Sequence, residues 1–128
     1  GAGGADLALV EGAMGLFDGI DGVSEVGSAA EVAKWLGAPV LLVLDCWTSA
    51  RSIAAVVKGF QAFDPDVRIA GLVFNKVGGE VHTRWLRDAV ESAGLGVPVL
   101  GGILNDPSAQ LPEYGASSTP AEVRAVEG

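Results

Sequence analysis

Glu11 ends a short apolar run and is followed by Gly12-Ala13-Met14-Gly15. A carboxylate in that position can hold Mg²⁺ directly or through water. The two glycines let the backbone approach a phosphate closely. Glu11 suits equally well a cap on a neighbouring backbone turn, since Gly-rich turns after strands are common. Asp18-Gly19 and Asp21-Gly22 come next, each a frequent turn pair. Their spacing fails the calcium-loop pattern, which needs Asp or Asn where Ile20 and Gly22 stand. Asn75 and Lys76 close a third apolar run. The Asn amide carries donor and acceptor together and is suited to reading a nucleotide base. Lys76 suits a phosphate or carboxylate, and otherwise a solvated charge. His82 is expected to be structural, and Cys46 a small buried hydrophobe. Nothing in their spacing makes them a nucleophile and its base.

Elements to carry these residues are legible. Apolar runs at Asp6–Val10, Val40–Leu44, Ile69–Phe74 and Val97–Leu104 do not alternate with polar residues. Such runs suit strands buried on both faces of a parallel sheet. Between them Ala29, Val32, Ala33 and Leu36 repeat with helical spacing. Ser28 and Glu31 stand at capping-box spacing, and Gly37 and Pro39 end the helix. Ile53, Val56, Val57 and Phe60 make a second stripe. Leu86, Ala89, Val90 and Ala93 make a third, stopped by Gly94. Trp35, Trp47 and Trp85 are expected to pack helices onto the sheet. Alternating strands and helices predict an α/β fold with a mostly parallel sheet and flanking helices. Ligands of such sheets bind at the carboxyl ends of the strands, where Glu11, Asp45-Cys46 and Asn75-Lys76 all fall. The Pro-containing stretch 105–128 reads as a polar tail or linker, with a short helix at 121–125.

Composition removes other classes. Sixteen acids against eight strong bases give a net charge of −8, and no basic stripe is present to bind nucleic acid. The apolar runs, Ala38–Leu44 among them, are far short of the ~20 residues of a membrane helix. One cysteine forms no internal disulfide, which fits a reducing, cytoplasmic setting. None of the three lysines belongs to a Gly-x-x-x-x-Gly-Lys-[Ser/Thr] loop, and no Gly-x-Ser-x-Gly or His-Glu-x-x-His occurs.

The run Glu11-Gly12-Ala13-Met14-Gly15-Leu16-Phe17-Asp18-Gly19 closely resembles the Glu-Gly-x-Met-Gly-Leu-Tyr-Asp-Gly motif of the cobyrinic acid a,c-diamide synthase family. Ser28–Leu36 matches its Ser-x-Ala-x-x-Ala-Lys-x-Leu helix, and Pro39–Asp45 its Pro-Val-x-Leu-Val-x-Asp strand. Gly59-Phe60, Phe63-Asp64-Pro65, Ile69–Val77, His82 and Pro98–Gly101 keep the family's order. The resemblance implies a P-loop NTPase-like, dethiobiotin-synthetase-like domain. It implies ATP-dependent amidation of the a and c acetate carboxylates of cobyrinic or hydrogenobyrinic acid through a phosphorylated carboxylate. Ammonia would come from glutamine in a separate glutaminase domain absent from this chain. Carried over, Glu11 is the Mg²⁺-linked carboxylate and Asp18 lies by the reacting carboxylate. Gly12 and Gly15 line the phosphate cleft, and Asn75 faces adenine beside Lys76.

The departures matter too. Lys76 replaces the usual Arg, and Phe17 the usual Tyr. Tyr114-Gly115-Ala116-Ser117-Ser118 replaces an Arg-His-Leu-Gly-Leu run. The family's P-loop strand would lie between the Glu11 and Asp45 strands, and its loop sequence does not occur here. The expectation is an internal fragment: residues 1–104 part of the synthetase domain, 105–128 a tail, inactive by itself. A dethiobiotin synthetase or cobyric acid synthase relative is the near alternative, disfavoured by the Met14–Asp18 run. A non-catalytic α/β binding domain is the alternative of another class.

Overall fold

A computed structural model describes residues 7–12, 14–105 and 121–123. Helix α1 spans Ala29–Leu36 and leads into strand β1, Val40–Asp45. Helix α2, Ser52–Phe63, connects β1 to strand β2, Ile69–Val77. Helix α3, Glu80–Ser92, connects β2 to strand β3, Val99–Leu104. A three-residue strand β4, Ala121–Val123, completes a sheet of order β3-β2-β1-β4. The first three strands are mutually parallel and β4 is antiparallel to β1. The expected α/β class is what forms.

Both crossovers connect neighbouring strands in the same direction, which places α2 and α3 side by side against the sheet. Alternation along the strands supplies the core. Leu42 and Leu44 of β1 are in register with Leu72 and Phe74 of β2, and all four are essentially inaccessible to solvent. Ile53 and Val57 of α2 and Leu86, Ala89 and Val90 of α3 pack in the same cluster.

The ends of α1 show how local chemistry fixes its length. Ser28 Oγ accepts the Glu31 amide at 3.1 Å, the predicted N-cap. The Glu31 carboxylate reaches back one residue further than a standard capping box, to the Gly27 amide at 3.2 Å. At the other end Gly37 takes a left-handed φ of 60°. Its amide bonds Lys34 O, and the Ala38 amide bonds Ala33 O. These two bonds make a Schellman stop.

Four expectations fail. Residues 7–10 form no strand, and Leu7, Leu9 and Val10 are exposed. A strand exists only against a neighbour, and the flank of β1 is taken by Ala121–Val123. A short helix is the expectation for that segment; pairing with the open edge of β1 outweighs its weak local preference. Strand β3 is not buried on both faces: Leu100, Ile103 and Leu104 are exposed because β3 is an edge. Finally, Trp35, Trp47 and Trp85 are 59–75% exposed and pack no helix onto the sheet. Trp85 lies one position from inward-facing Leu86, and so about 100° around the helix from it.

Candidate functional site

The segment from Gly12 to Gly27 is anchored from its middle. Leu16 is fully buried in the core, and its carbonyl accepts the Ala30 amide at 3.0 Å. Phe17 stacks on Phe60 of α2 at 5.6 Å between centroids and meets Phe63 at 4.6 Å. These anchors leave the Glu11 and Asp18 side chains exposed, while Gly15 is buried and Gly12 half-buried. The Asp18 amide donates to Gly15 O at 2.9 Å, closing a turn around the buried Leu16.

The rest of the loop is tied to itself. The Ile20 amide donates to Val26 O at 3.0 Å. Gly19 sits so close behind that carbonyl that a Cβ there would lie 2.3 Å from its oxygen, a space only glycine fits. Asp21 is a turn residue: Oδ1 accepts the amides of Val23 and Ser24 at 2.8 and 2.7 Å. Those bonds, Ser24's first, hold its carboxyl below the usual carboxylate range.

At the carboxyl edge of the sheet a second group assembles. Asp45 ends β1 and stands in register with Asn75 of β2. Asn75 Nδ2 donates to Asp45 Oδ1 at 3.1 Å, and Asn75 Oδ1 accepts the Lys76 amide at 3.0 Å. Lys76 Nζ lies 3.4 Å from Asp45 Oδ2. Lys76 also holds a φ of 61°, a left-handed conformation that costs a non-glycine residue roughly 1–2 kcal/mol. A strained residue kept in place by an ion pair at a strand end is a common mark of a ligand site. Asp45 is the residue that the strand-end rule placed but to which sequence reasoning gave no role.

His82, in the first turn of α3, accepts the Gly78 amide at Nδ1, 2.9 Å, and so carries its proton on Nε2. That nitrogen donates to Ser49 O at 2.6 Å. Cys46 is fully buried, with its thiol pushed up to about 12 by burial, and it donates to Leu44 O at 3.3 Å. A protonated, inaccessible sulfur is no nucleophile, and His82 is committed to other partners.

The predicted site residues thus form two groups, Glu11–Asp18 and Asn75–Lys76. Among the described residues no hydrogen bond or ion pair joins one group to the other. None of them forms a cluster of three or more metal-ligating side chains either. Mg²⁺ still suits this donor set. It takes one or two carboxylates and completes its octahedron with phosphate and water oxygens. Exposed Glu11, whose carboxylate makes no hydrogen bond or ion pair among the described residues, is free to serve in that way.

Away from this edge, Lys34 joins three segments. Its ammonium pairs with Glu25 of the loop and, at 2.7 Å, with Asp64 after α2. The Lys34 hydrogen bond holds the Asp64 carboxyl below its ordinary value. A lowered native pKa contributes stability above the unfolded value of about 4. That contribution is lost as pH falls through the native value. Replacing Lys34 with Met should therefore flatten the fall in Tm below about pH 4, a modest effect for a half-buried pair still reached by solvent. Thermal melts from pH 7 to pH 2 read it. An acid limb of unchanged steepness would remove the pair from the pH dependence.

Known proteins are similar to this chain in sequence. A cobyrinate a,c-diamide synthase of Syntrophotalea carbinolica is 49% identical over 108 residues, 84% of this chain and 23% of that protein. Hydrogenobyrinate a,c-diamide synthases of Mesorhizobium japonicum and Streptomyces coelicolor are 51% and 54% identical. They align over 84% and 79% of this chain and 24% and 20% of their own lengths. The chain therefore spans between a fifth and a quarter of the curated relatives it matches. No solved structure matches it. Residues 3–124, nearly the whole length, match the AAA domain family, and the chain belongs to that family.

Proposed function

We propose that this chain supplies part of the nucleotide-binding synthetase unit of a corrin a,c-diamide synthase. The observation that carries the reading is identity of about one half to synthases of that name across most of the chain. In this reading ATP phosphorylates the a and c acetate carboxylates of cobyrinic or hydrogenobyrinic acid. Ammonia derived from glutamine then displaces the phosphate. Residues 1–104 belong to the synthetase unit, 105–128 follow as a connecting segment whose residues 121–123 return to its sheet as β4, and the enzyme works in the cytoplasm. Among the described residues no helix is long and apolar enough to cross a membrane.

The residues divide the work by position. Asn75 offers a remaining amide hydrogen and lone pair to the adenine edge, because Asp45 and the Lys76 amide each use only one side of its amide. Lys76 offers its ammonium near the base or phosphates. Gly12 and Gly15 let the chain pass close to phosphate oxygens. Glu11 would hold Mg²⁺, which when bound neutralises charge on the β- and γ-phosphates. Asp18, exposed on the turn that Leu16 anchors, positions the acceptor carboxylate.

The test is an amidation assay on the synthase-length polypeptide that carries this segment, with cobyrinic acid, hydrogenobyrinic acid and dethiobiotin precursor supplied separately. The expected result is mono- and diamide formation from a corrin only, dependent on both ATP and glutamine. Turnover of the dethiobiotin precursor, or none with any of the three, would overturn the assignment.

A further inference from the structure

Given ATP use at this sheet edge, as proposed, we infer that His82 is the positioning residue of the nucleotide subsite. It acts by locking the turn after β1 to the turn after β2 and thereby fixing Asn75 and Lys76. The contacts form a closed circuit. Asn75 O accepts the Cys46 amide at 2.9 Å, and Cys46 O accepts the Ser49 amide at 3.0 Å. Ser49 O accepts from His82 Nε2, and His82 Nδ1 accepts the Gly78 amide. Gly78 lies two residues beyond Lys76, and its tie to His82 fixes the chain on the far side of that left-handed residue. With the circuit closed, neither turn can shift without breaking a hydrogen bond, and the Asp45–Asn75–Lys76 group keeps one arrangement.

The fold itself does not depend on this tie. Helix α3 is seated by Leu86, Ala89 and Val90. Its first turn closes without His82, because Gly79 O accepts both the Thr83 amide at 3.0 Å and Thr83 Oγ1 at 2.9 Å. Strands β1 and β2 stay paired through to Asp45 and Asn75 by their own ladder. What His82 adds is local: a single ring joining backbone groups 29 residues apart in the chain, at Ser49 and Gly78. A chain of hydrogen bonds of this kind restricts two loops at once, which lowers the ordering cost that a ligand would otherwise meet on binding.

The experiment is calorimetric titration of the synthase-length polypeptide with MgATP. The variants are His82→Ala, Asn75→Ala, the double variant and His82→Asn. Steady-state kinetics and amide exchange at Gly78 accompany it. His82→Ala should weaken ATP binding about tenfold and speed Gly78 exchange, with kcat at saturating ATP within about twofold. The double variant should bind clearly less than tenfold worse than Asn75→Ala, because with Asn75 gone the lock has only Lys76 left to position. His82→Asn keeps an acceptor for Gly78 but is too short to hold Ser49 O, and should recover only part of the affinity. It also carries the comparison with Asn75 if the alanine variant does not fold. Additive losses in the double variant overturn the proposal. So does normal affinity in His82→Ala beside a loss in Asn75→Ala, which leaves the nucleotide site itself standing. Normal affinity in both single variants overturns the site reading together with the proposal.

Discussion

Replacing Phe74 with alanine is expected to destabilise the domain by about 3–5 kcal/mol, the usual cost of deleting a fully buried ring. Domains of this size have only about 5–15 kcal/mol to lose. Phe74 lies in the central strand β2, is 0% exposed, and faces Leu44 on one side and Gly102 on the other. Gly102 has no side chain of its own to move into the vacated space, which lies beside Thr83 and Val77. Phe74→Leu keeps most of the volume and should cost less than about 1.5 kcal/mol. Val23→Ala, at a residue 99% exposed, should stay within about 0.5 kcal/mol. Urea titrations at constant pH compare the three midpoints. If Phe74→Ala unfolds at the same urea concentration as Val23→Ala, the two-helix face of the sheet is not the core.

The parts of this fold that could be read from residues are those whose physics is local. Ser28, Glu31 and Gly37 fix both ends of α1 through bonds spanning three to five residues, and that spacing is visible in the chain. The runs that became β1 and β2 are apolar throughout because both their faces are covered, and they read correctly for that reason. Where a neighbour decides the outcome, reading fails. The 6–10 run has the composition of a strand, yet its residues 7–10 form none; Ala121–Val123 has little strand signal and pairs with β1. Val97–Leu104 carries the pattern of a central strand but stands at an edge, which no local feature reports.

The site divides along the same line. Asn75 and Lys76 could be singled out as candidates because a strand end is a place that topology selects. Asp45 stood at an equivalent place, but its part depends on register with Asn75, and register is a property of two strands. The use of His82 was hidden more deeply. Both its partners are backbone groups, so no residue type at any spacing announces them. The change of Ser117 and its neighbours from the family pattern lies outside the described residues.

Glu11→Ala should lower turnover by the synthase-length polypeptide about 10²–10³-fold while leaving its Tm in place. The first half comes from charge. Phosphoryl transfer is helped mainly by cations placed against the phosphate oxygens, and such placement is worth several kcal/mol. At 1.36 kcal/mol per factor of ten, losing about 3–4 kcal/mol gives that range. The second half comes from the structure: Glu11 is exposed, and among the described residues its carboxylate makes no hydrogen bond or ion pair to lose. A turn-capping Glu11 predicts the opposite pairing, a lower Tm with near-normal kcat. Glu11→Asp separates the two further, since it keeps the charge and the oxygen ligands but draws them back by one methylene. It should need more Mg²⁺ to reach half-maximal rate, a shift that a cap has no means to produce. Mn²⁺ binding monitored by electron paramagnetic resonance, with ATP present, gives the same answer without turnover. Glu11→Ala should release the ion, and retention of wild-type Mn²⁺ affinity in that variant would take the metal away from Glu11.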